Sequence, residues 1–510
     1  MEHNERFRCA ALYGRVMSAQ EAALLIEDGS TVAVSGFTPS GCPKMVPLAI
    51  SEQVRSGQRK LRLTLLSSAS TGPELDSAWG ELGIIARRLP YMTSKELRRS
   101  VNGGGPAPVA YTDVHIGEVA QNARLGFYGR IDAAIIEAAA ITADCGIVPT
   151  TGLGCSQTWI DLADRVIVEL NLSQPAALEG FHDVYRVADP PRREPIPLTA
   201  PGQRIGSPYL RCPTEKIAAV VIGEAEEHPR PLAPEDEVSR AIAGNIVRFL
   251  EREKAAGRLS ADELPLQSGV GSVANAVLFG LKNAGFSHLR FYSEVMQDGI
   301  LDLIDAGKAD FASATSLSLS KAGMERLLGD LEQYRDKLVL RDSEISNSAE
   351  LIRRLGVIAM NTAVEADIYG NVNSSQMNGT TVYNGIGGSG DYARNAAISI
   401  FMTNSVAKGG KISSIVPMVT HVDHCEHDVD VIVTEQGYAD LRGLSPKERA
   451  VRIIENCAHP DYRPLLRRYF DEACAASHGA QTPHLLDRCF GFHENLRLRG
   501  SMLCGEEGEN

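Results

Sequence analysis

Short apolar runs alternate along this chain with longer stretches in which apolar residues recur every three to four positions. The apolar runs fall at 31–36, 62–67, 133–138, 165–171, 217–224, 289–295, 337–341, 411–418 and 429–435, are rich in Val, Ile and Leu, and read as β-strands. Several lack the polar alternation of a strand with one wet face. Ala133-Ala-Ile-Ile-Glu-Ala138 is such a run, and it predicts a strand covered on both sides, as in a parallel sheet. Residues 19–27, 235–254 and 273–283 carry the helical period instead. The alternation of the two patterns predicts an α/β architecture with largely parallel sheets.

At 510 residues the chain exceeds what one core usually supports. Three prolines between Pro229 and Pro234 interrupt regular structure and set the expected boundary, giving an N-terminal α/β domain over 1–230 and a C-terminal one over 231–510. Each half has an extended run that leads through a Gly/Ser-rich loop toward a helix, at 34–44 and at 266–272, which points to two similar open α/β domains. Residues 189–197 read as an ordered surface loop and 505–510 as a disordered tail.

Composition narrows the function classes. With 44% hydrophobic and 23% charged residues and no apolar run near the roughly 20 residues of a span, the sequence predicts no membrane segment. The first residues lack an apolar signal core and are too acidic for a transit peptide, so the expected compartment is the cytoplasm. A net charge of −13 argues against nucleic acid as a partner. Ten scattered cysteines with no C-x-x-C pair suit reduced thiols better than a disulfide framework.

The most informative segment is Asn384-Gly-Ile-Gly-Gly-Ser-Gly-Asp-Tyr-Ala-Arg-Asn395, four glycines ahead of the run 396–402, which reads as a helix. Glycines let backbone approach a ligand, and N–H groups at a helix start favour negative charge, so the loop is suited to an anion. It matches G-x-G-x-x-G, but it follows a polar, Asn-rich stretch, and Lys408 and Lys411 stand where a ribose-binding acid belongs, which disfavours a dinucleotide. No Gly-Lys-Ser/Thr follows, so it is not a P-loop either. Arg394, Lys408 and Lys411 supply a local basic island for a polyanionic ligand.

Its expected partner is Leu289-Arg-Phe-Tyr-Ser-Glu-Val-Met-Gln-Asp-Gly299, where a β-run ends in Glu294. A carboxylate at a strand terminus facing a donor-rich loop is a candidate nucleophile. Glu137, Glu169, Glu224, Glu365 and Glu435 also lie near strand ends and compete with it. Val270-Gly271 and Gly387-Gly388 could offer backbone N–H groups, while Asn347 is equally an active-site donor or a helix cap. His421-Val-Asp-His-Cys-Glu-His427 contains metal-ligand types at spacings of no standard zinc site, and reads as a hydrogen-bonded turn with no metal.

Taken together, Ser35-Gly-Phe-Thr38, Leu266-Gln-Ser-Gly-Val-Gly271, Tyr292-Ser-Glu-Val295, Ile345-Ser-Asn347, Glu365-Ala-Asp-Ile-Tyr-Gly370, Asn384-Gly-Ile-Gly-Gly-Ser-Gly-Asp391 and Thr434-Glu-Gln-Gly437 resemble the acetyl-CoA hydrolase/transferase branch of the class I CoA-transferases over nearly the whole chain. The resemblance implies two α/β domains of the CoA-transferase/NagB-like kind with the active site between them, the C-terminal one carrying Glu294 and the glycine loop. It implies a ping-pong reaction through a glutamyl-CoA thioester, with CoA moved from succinyl-CoA to acetate. The neighbouring alternatives are a propionyl-CoA and succinate pair, or hydrolysis of acetyl-CoA by the same glutamate.

By the same resemblance Glu294 is the nucleophile, Gly388 and Val270 are backbone oxyanion donors, and Asn347 is a polar active-site residue. Ser268, Gly269, Val270, Gly271, Ser272, Asn384, Gly388 and Lys408 fall in CoA-contacting segments. No metal or redox cofactor is implied, since CoA thioesters are substrates, and a homodimer is the expected assembly. Because attack needs an ionised Glu294, its pKa is expected to stay near the usual carboxylate range.

Overall fold

The computed structural model describes residues 5–229, 235–259, 262–269 and 271–503. Most of the proline run after Pro229, the candidate donor Val270 and the C-terminal tail lie outside the described residues. The chain forms two compact units, one of Met1–Pro231, Arg290–Leu355 and Asn384–Asp391, the other of Leu232–Leu289, Gly356–Tyr383 and Tyr392–Asn510.

The first unit contains a seven-stranded sheet in the order Ile217–Gly223, Arg165–Asn171, Ala133–Ala138, Thr31–Val34, Leu63–Leu66, Ile85–Leu89 and Ala110–Tyr111. Every pairing in it is parallel. All six residues of Ala133–Ala138 are buried, as the lack of polar alternation predicted. Val166, Val168, Ala134 and Ile136 pack with Trp159 and Ile160 from the helix Ser156–Leu162 into one core.

The same unit carries the strands Ala309–Ala314, Leu338–Arg341 and His182–Asp183, again paired in parallel. Residues 290–355 had been expected with the C-terminal half, and backbone hydrogen bonds explain why they cluster with N-terminal residues. Leu153 N–H donates to Thr315 O at 2.9 Å, Leu317 N–H to Thr151 O at 2.8 Å and Ser343 N–H to Gly154 O at 2.9 Å. These bonds stitch the segment around Glu294 to the strand-end loops of residues 151–154.

The second unit is built on Leu266–Ser268, Ile358–Thr362, Ile398–Met402 and Val431–Thr434 in parallel, closed by an antiparallel hairpin to Gly437–Asp440. Here the expectation of a helix over 396–402 is corrected. Ile398-Ser-Ile-Phe-Met402 is a central strand, buried at all five positions and paired on both sides. Period alone cannot separate a short buried strand from a buried helix, and β-branched Ile at 398 and 400 favours the strand. The helix that does follow the glycine loop is short, Ser389–Ala393.

A second correction concerns the cysteines. Arg8 N–H donates to Ile141 O at 2.9 Å and Ile141 N–H to Arg6 O at 2.7 Å, which lays the N-terminal segment beside residues 140–141. Cys9 and Cys145 thereby come to a Cα separation of 5.0 Å and form a disulfide, within ordinary bridging range. Cys42, Cys155, Cys212, Cys425, Cys457, Cys474 and Cys489 are thiols. No helix among the described residues is long and apolar enough to cross a membrane.

Candidate active site

Glu294 occupies a bend between the strand Leu289–Tyr292 and the short strand Val295–Met296. Its main chain is pinned, because its carbonyl accepts N–H bonds from Thr315 at 2.9 Å and Ser316 at 3.2 Å. Its side chain is partly buried, and Oε1 accepts a hydrogen bond from Asn347 Nδ2 at 2.6 Å. Asn347 itself is buried at the end of the helix Ser343–Ser346, and Ser346 Oγ donates to its Oδ1 at 2.8 Å. That bond fixes which end of the carboxamide faces the glutamate.

The glycine loop approaches the same carboxylate. A β-carbon on Gly388 would collide with Glu294 Oε1 and with Asn347 Nδ2, so only glycine permits this approach. The loop is held from the segment 111–117. Ile386 N–H donates to Asp113 at 2.9 Å to Oδ2 and 3.1 Å to Oδ1, Ile116 N–H to Gly387 O at 3.3 Å, and Gly117 N–H to Asp391 Oδ2 at 2.9 Å. Asp391 also takes the second Asn347 N–H at 3.1 Å. The imidazole of His115 stands over Gly390, where a β-carbon would meet its ring.

Burial pushes the Glu294 carboxyl up to about 7, and the Asn347 hydrogen bond counters this only in part. The expectation of an ordinary carboxylate pKa is therefore corrected. The cause is withdrawal from water, countered by the one Asn347 hydrogen bond and, among the described residues, by no cation. Asp391 is raised well above its usual range, by burial first, and the Glu294 charge adds to the rise.

The rival carboxylates have structural partners. Glu137 is ion-paired with buried Lys44 at 2.7 Å, and Glu169 accepts the N–H groups of Lys44, Met45 and Val46 at the start of the helix Met45–Arg55. Glu365 bonds His493 at 2.7 Å and Asn373 at 3.0 Å, and Glu435 accepts Ser405 N–H at 2.8 Å. Glu224 is exposed. In the histidine-rich turn, Asp423 accepts the N–H groups of Ser374 and Ser375 at 2.6 and 2.8 Å, and His424 packs on Phe401. Among the described residues no group of three or more His, Cys, Asp or Glu is placed to hold a metal ion.

The first unit thus gathers Glu294, Asn347 and Gly388, with Asn384 at the start of the same loop. The buried Oδ1 of Asn384 has no hydrogen-bond partner among the described residues. The other predicted contacts lie in the second unit. Ser268 ends the strand Leu266–Ser268, and Gly269 and Gly271 lead to Ser272, the first residue of the helix Ser272–Asn283. Gly271 has φ 120°, a conformation that favours glycine. Lys408 is exposed in the turn between Val406–Ala407 and Ile412–Ser413. Arg394 reaches Asp428 at 3.8 Å.

Sequence reasoning passed over Asp391, Asp113 and Gly117. The only signal for Asp391 was an acid directly after the glycines.

Two family models match, the acetyl-CoA hydrolase/transferase N-terminal domain over residues 1–221 and the C-terminal domain over 323–470. The chain is 50% identical over 498 residues to a succinyl-CoA:acetate CoA-transferase of Clostridium kluyveri, covering 98% of this chain and 92% of that protein. It is 44% identical over 515 residues to an acetyl-CoA hydrolase of Candida glabrata, covering 98% and 97%. The structure of RipA from Yersinia pestis shares the fold with a TM-score of 0.69 at 23% identity, covering 90% of this chain and 97% of that one. With both family models matched in order, this chain belongs to the acetyl-CoA hydrolase/transferase family.

Proposed function

We propose that the protein is a CoA-transferase that moves CoA from succinyl-CoA to acetate, with Glu294 as the nucleophile. The observation that carries this reading is a partly buried carboxylate, oriented by Asn347, against a glycine that has no room for a β-carbon. The half-identical relative with that activity supports the choice of substrates.

In the first half-reaction a Glu294 carboxylate oxygen attacks the succinyl-CoA thioester carbonyl. The tetrahedral oxyanion is held by backbone N–H groups, for which Gly388 and Val270 are the candidates. CoA thiolate leaves and a mixed anhydride remains. The thiolate then attacks the glutamyl carbonyl, releasing succinate and leaving CoA on Glu294 as a thioester. Acetate attacks that thioester, thiolate leaves again, and its attack on the acetyl carbonyl yields acetyl-CoA and free glutamate. Every bond broken is balanced by one formed, so the reaction as written needs no metal or redox cofactor.

A pKa of about 7 leaves Glu294 half ionised at neutral pH and makes the ionised form a stronger base than an exposed glutamate. The desolvation that raises it also keeps water from the anhydride and thioester. Lys408, Ser268, Gly269, Gly271, Ser272 and Asn384 complete the proposal as CoA contacts, and a homodimer is its expected assembly.

Incubation with succinyl-CoA and no acceptor, followed by intact and peptide mass measurement, should find CoA attached at Glu294, and acetate should discharge it. Normal exchange with no adduct at Glu294 would overturn the assignment. The hydrolase relative supports a second reading, in which water takes the place of acetate. Release of free CoA at the full rate without any carboxylate acceptor would select it.

A further inference from the structure

The site contains a second acid to which the proposed chemistry gives no task. Asp391 closes the glycine loop, and its Oδ2 accepts both Gly117 N–H at 2.9 Å and Asn347 Nδ2 at 3.1 Å. The Asn347 amide nitrogen has only two hydrogens, and the other goes to Glu294 Oε1 at 2.6 Å. With Ser346 Oγ on the amide oxygen at 2.8 Å, the carboxamide is tied at every end. Gly117 makes the close approach possible, since a β-carbon there would lie 2.5 Å from Asn347 O and 2.9 Å from Asp391 Oδ1.

We propose that Asp391 is a positioning residue for Glu294: it takes one Asn347 N–H so that the other is aimed at the Glu294 carboxylate, and it does so as the neutral acid. This rests on the reading of Glu294 as nucleophile. Two carboxyls that share one amide nitrogen repel each other when both are ionised, so one of them keeps its proton. Oδ2 of Asp391 accepts N–H bonds from both Gly117 and Asn347.

The charged neighbours agree with this assignment. Glu294 and Glu118 both raise Asp391, on top of the larger effect of burial and against the bonds from Gly117 and Asn347. His115 lies at the adjacent Gly390. Asp391 is held well above the usual carboxylate range, by burial first. One buried acid is kept neutral and the other is thereby left free to carry the charge.

The test compares full-length wild type, Asp391→Asn and Asp391→Ala by the pH profile of kcat/KM and by the rate of CoA loading onto Glu294 from succinyl-CoA. Asparagine mimics a neutral acid, so Asp391→Asn should keep kcat within about three-fold and leave the acidic limb where it is. Asp391→Ala should release Asn347, lower kcat roughly ten-fold or more with KM little changed, and move the acidic limb to higher pH as Glu294 loses its donor. A structural role alone would leave the limb in place. A limb that falls by about a unit or more in Asp391→Asn would show that Asp391 was charged and overturn the proposal. Wild-type loading and an unmoved limb in Asp391→Ala would overturn it as well. If wild type itself forms no adduct at Glu294, the underlying nucleophile assignment falls, and the positioning role falls with it.

Discussion

A β-carbon placed on Gly388 would land on Oε1 of Glu294. Gly388 is not in the left-handed region, so alanine could adopt its backbone, and the obstacles are the Glu294 carboxylate first and the Asn347 amide beside it. Gly388→Ala should therefore fold but displace Glu294, lowering kcat about 10²–10³-fold. The loss of thermal stability should be smaller when Glu294→Ala is also present, because the nearer of the two colliding groups has gone and only the Asn347 amide remains. Equal losses in both backgrounds, measured as a double-mutant cycle on unfolding, would show that the two residues do not press on each other.

The pH dependence follows from the same carboxylate. Attack needs the ionised form, and with a pKa of about 7 the ionised fraction falls roughly ten-fold for each unit below that value. The profile of kcat/KM should rise with unit slope through pH 5 to 6, bend near 7 and level off above it. Asn347→Ala removes the hydrogen bond that lowers the Glu294 pKa, so its limb should sit at higher pH. A wild-type limb near 4.5 would mean that water reaches Glu294 freely.

Stability should move in the opposite direction. The folded-state pKa of Glu294 lies above its ordinary value, so the folded protein binds more protons than the unfolded chain between about pH 4.5 and 7. Stability from this group is fully present below that window and is lost as pH rises through about 7. Glu294→Gln keeps the shape without the charge. It should match wild type near pH 4.5 and exceed it at pH 8 by on the order of 1–3 kcal/mol, read from urea unfolding. An equal margin at both pH values would remove desolvation as the cause.

The sequence disclosed different parts of the molecule to different depths. Ala133–Ala138 could be read because its residues, apart from Glu137, are apolar or small and lack the polar alternation of a strand with one wet face. Ile398–Met402 has the same character but is preceded by glycines, and the helix-start argument outweighed its β-branched residues. Glu294 was one of six carboxylates near strand ends, and only the family resemblance singled it out, together with Gly388. Asp391 was not singled out, because its meaning depends on Gly117, 274 positions away, and no local pattern encodes such a contact. The raised Glu294 pKa was hidden for a related reason, since only folding reveals how far the carboxylate is withdrawn from water.

A buried ion pair supports the loop that follows the strand Leu63–Leu66. Arg88 is fully buried and binds Asp76 through Nε at 2.7 Å and Nη2 at 3.0 Å, while its other hydrogens reach Ser67 Oγ at 2.8 Å, Ala69 O at 2.9 Å and Leu89 O. Asp76 also accepts Thr71 N–H at 3.1 Å. Removing one partner strands a buried charge, so Asp76→Ala should cost about 3–5 kcal/mol. Asp76→Leu with Arg88→Met should cost less than the sum of the two single changes, and simple additivity would argue that the pair is not coupled.

Asp113 gives the glycine loop its anchor at the other end from Asp391. Both of its carboxylate oxygens lie on Ile386 N–H, at 2.9 and 3.1 Å, and Ile116 N–H holds the next carbonyl, Gly387 O, at 3.3 Å. The bond to Ile386 is exposed, so its loss should cost only about 1 kcal/mol, far too little to unfold the protein. It should nonetheless loosen residues 385–388, because glycines resist local opening less than any other residue type. Asp113→Ala should speed amide exchange at Ile386 and its neighbours by roughly five-fold and lower kcat with global stability retained. Asp113→Asn still offers an oxygen to Ile386 and should restore most of both. Unchanged exchange at Ile386 in Asp113→Ala would mean that the Ile116 bond holds the loop alone.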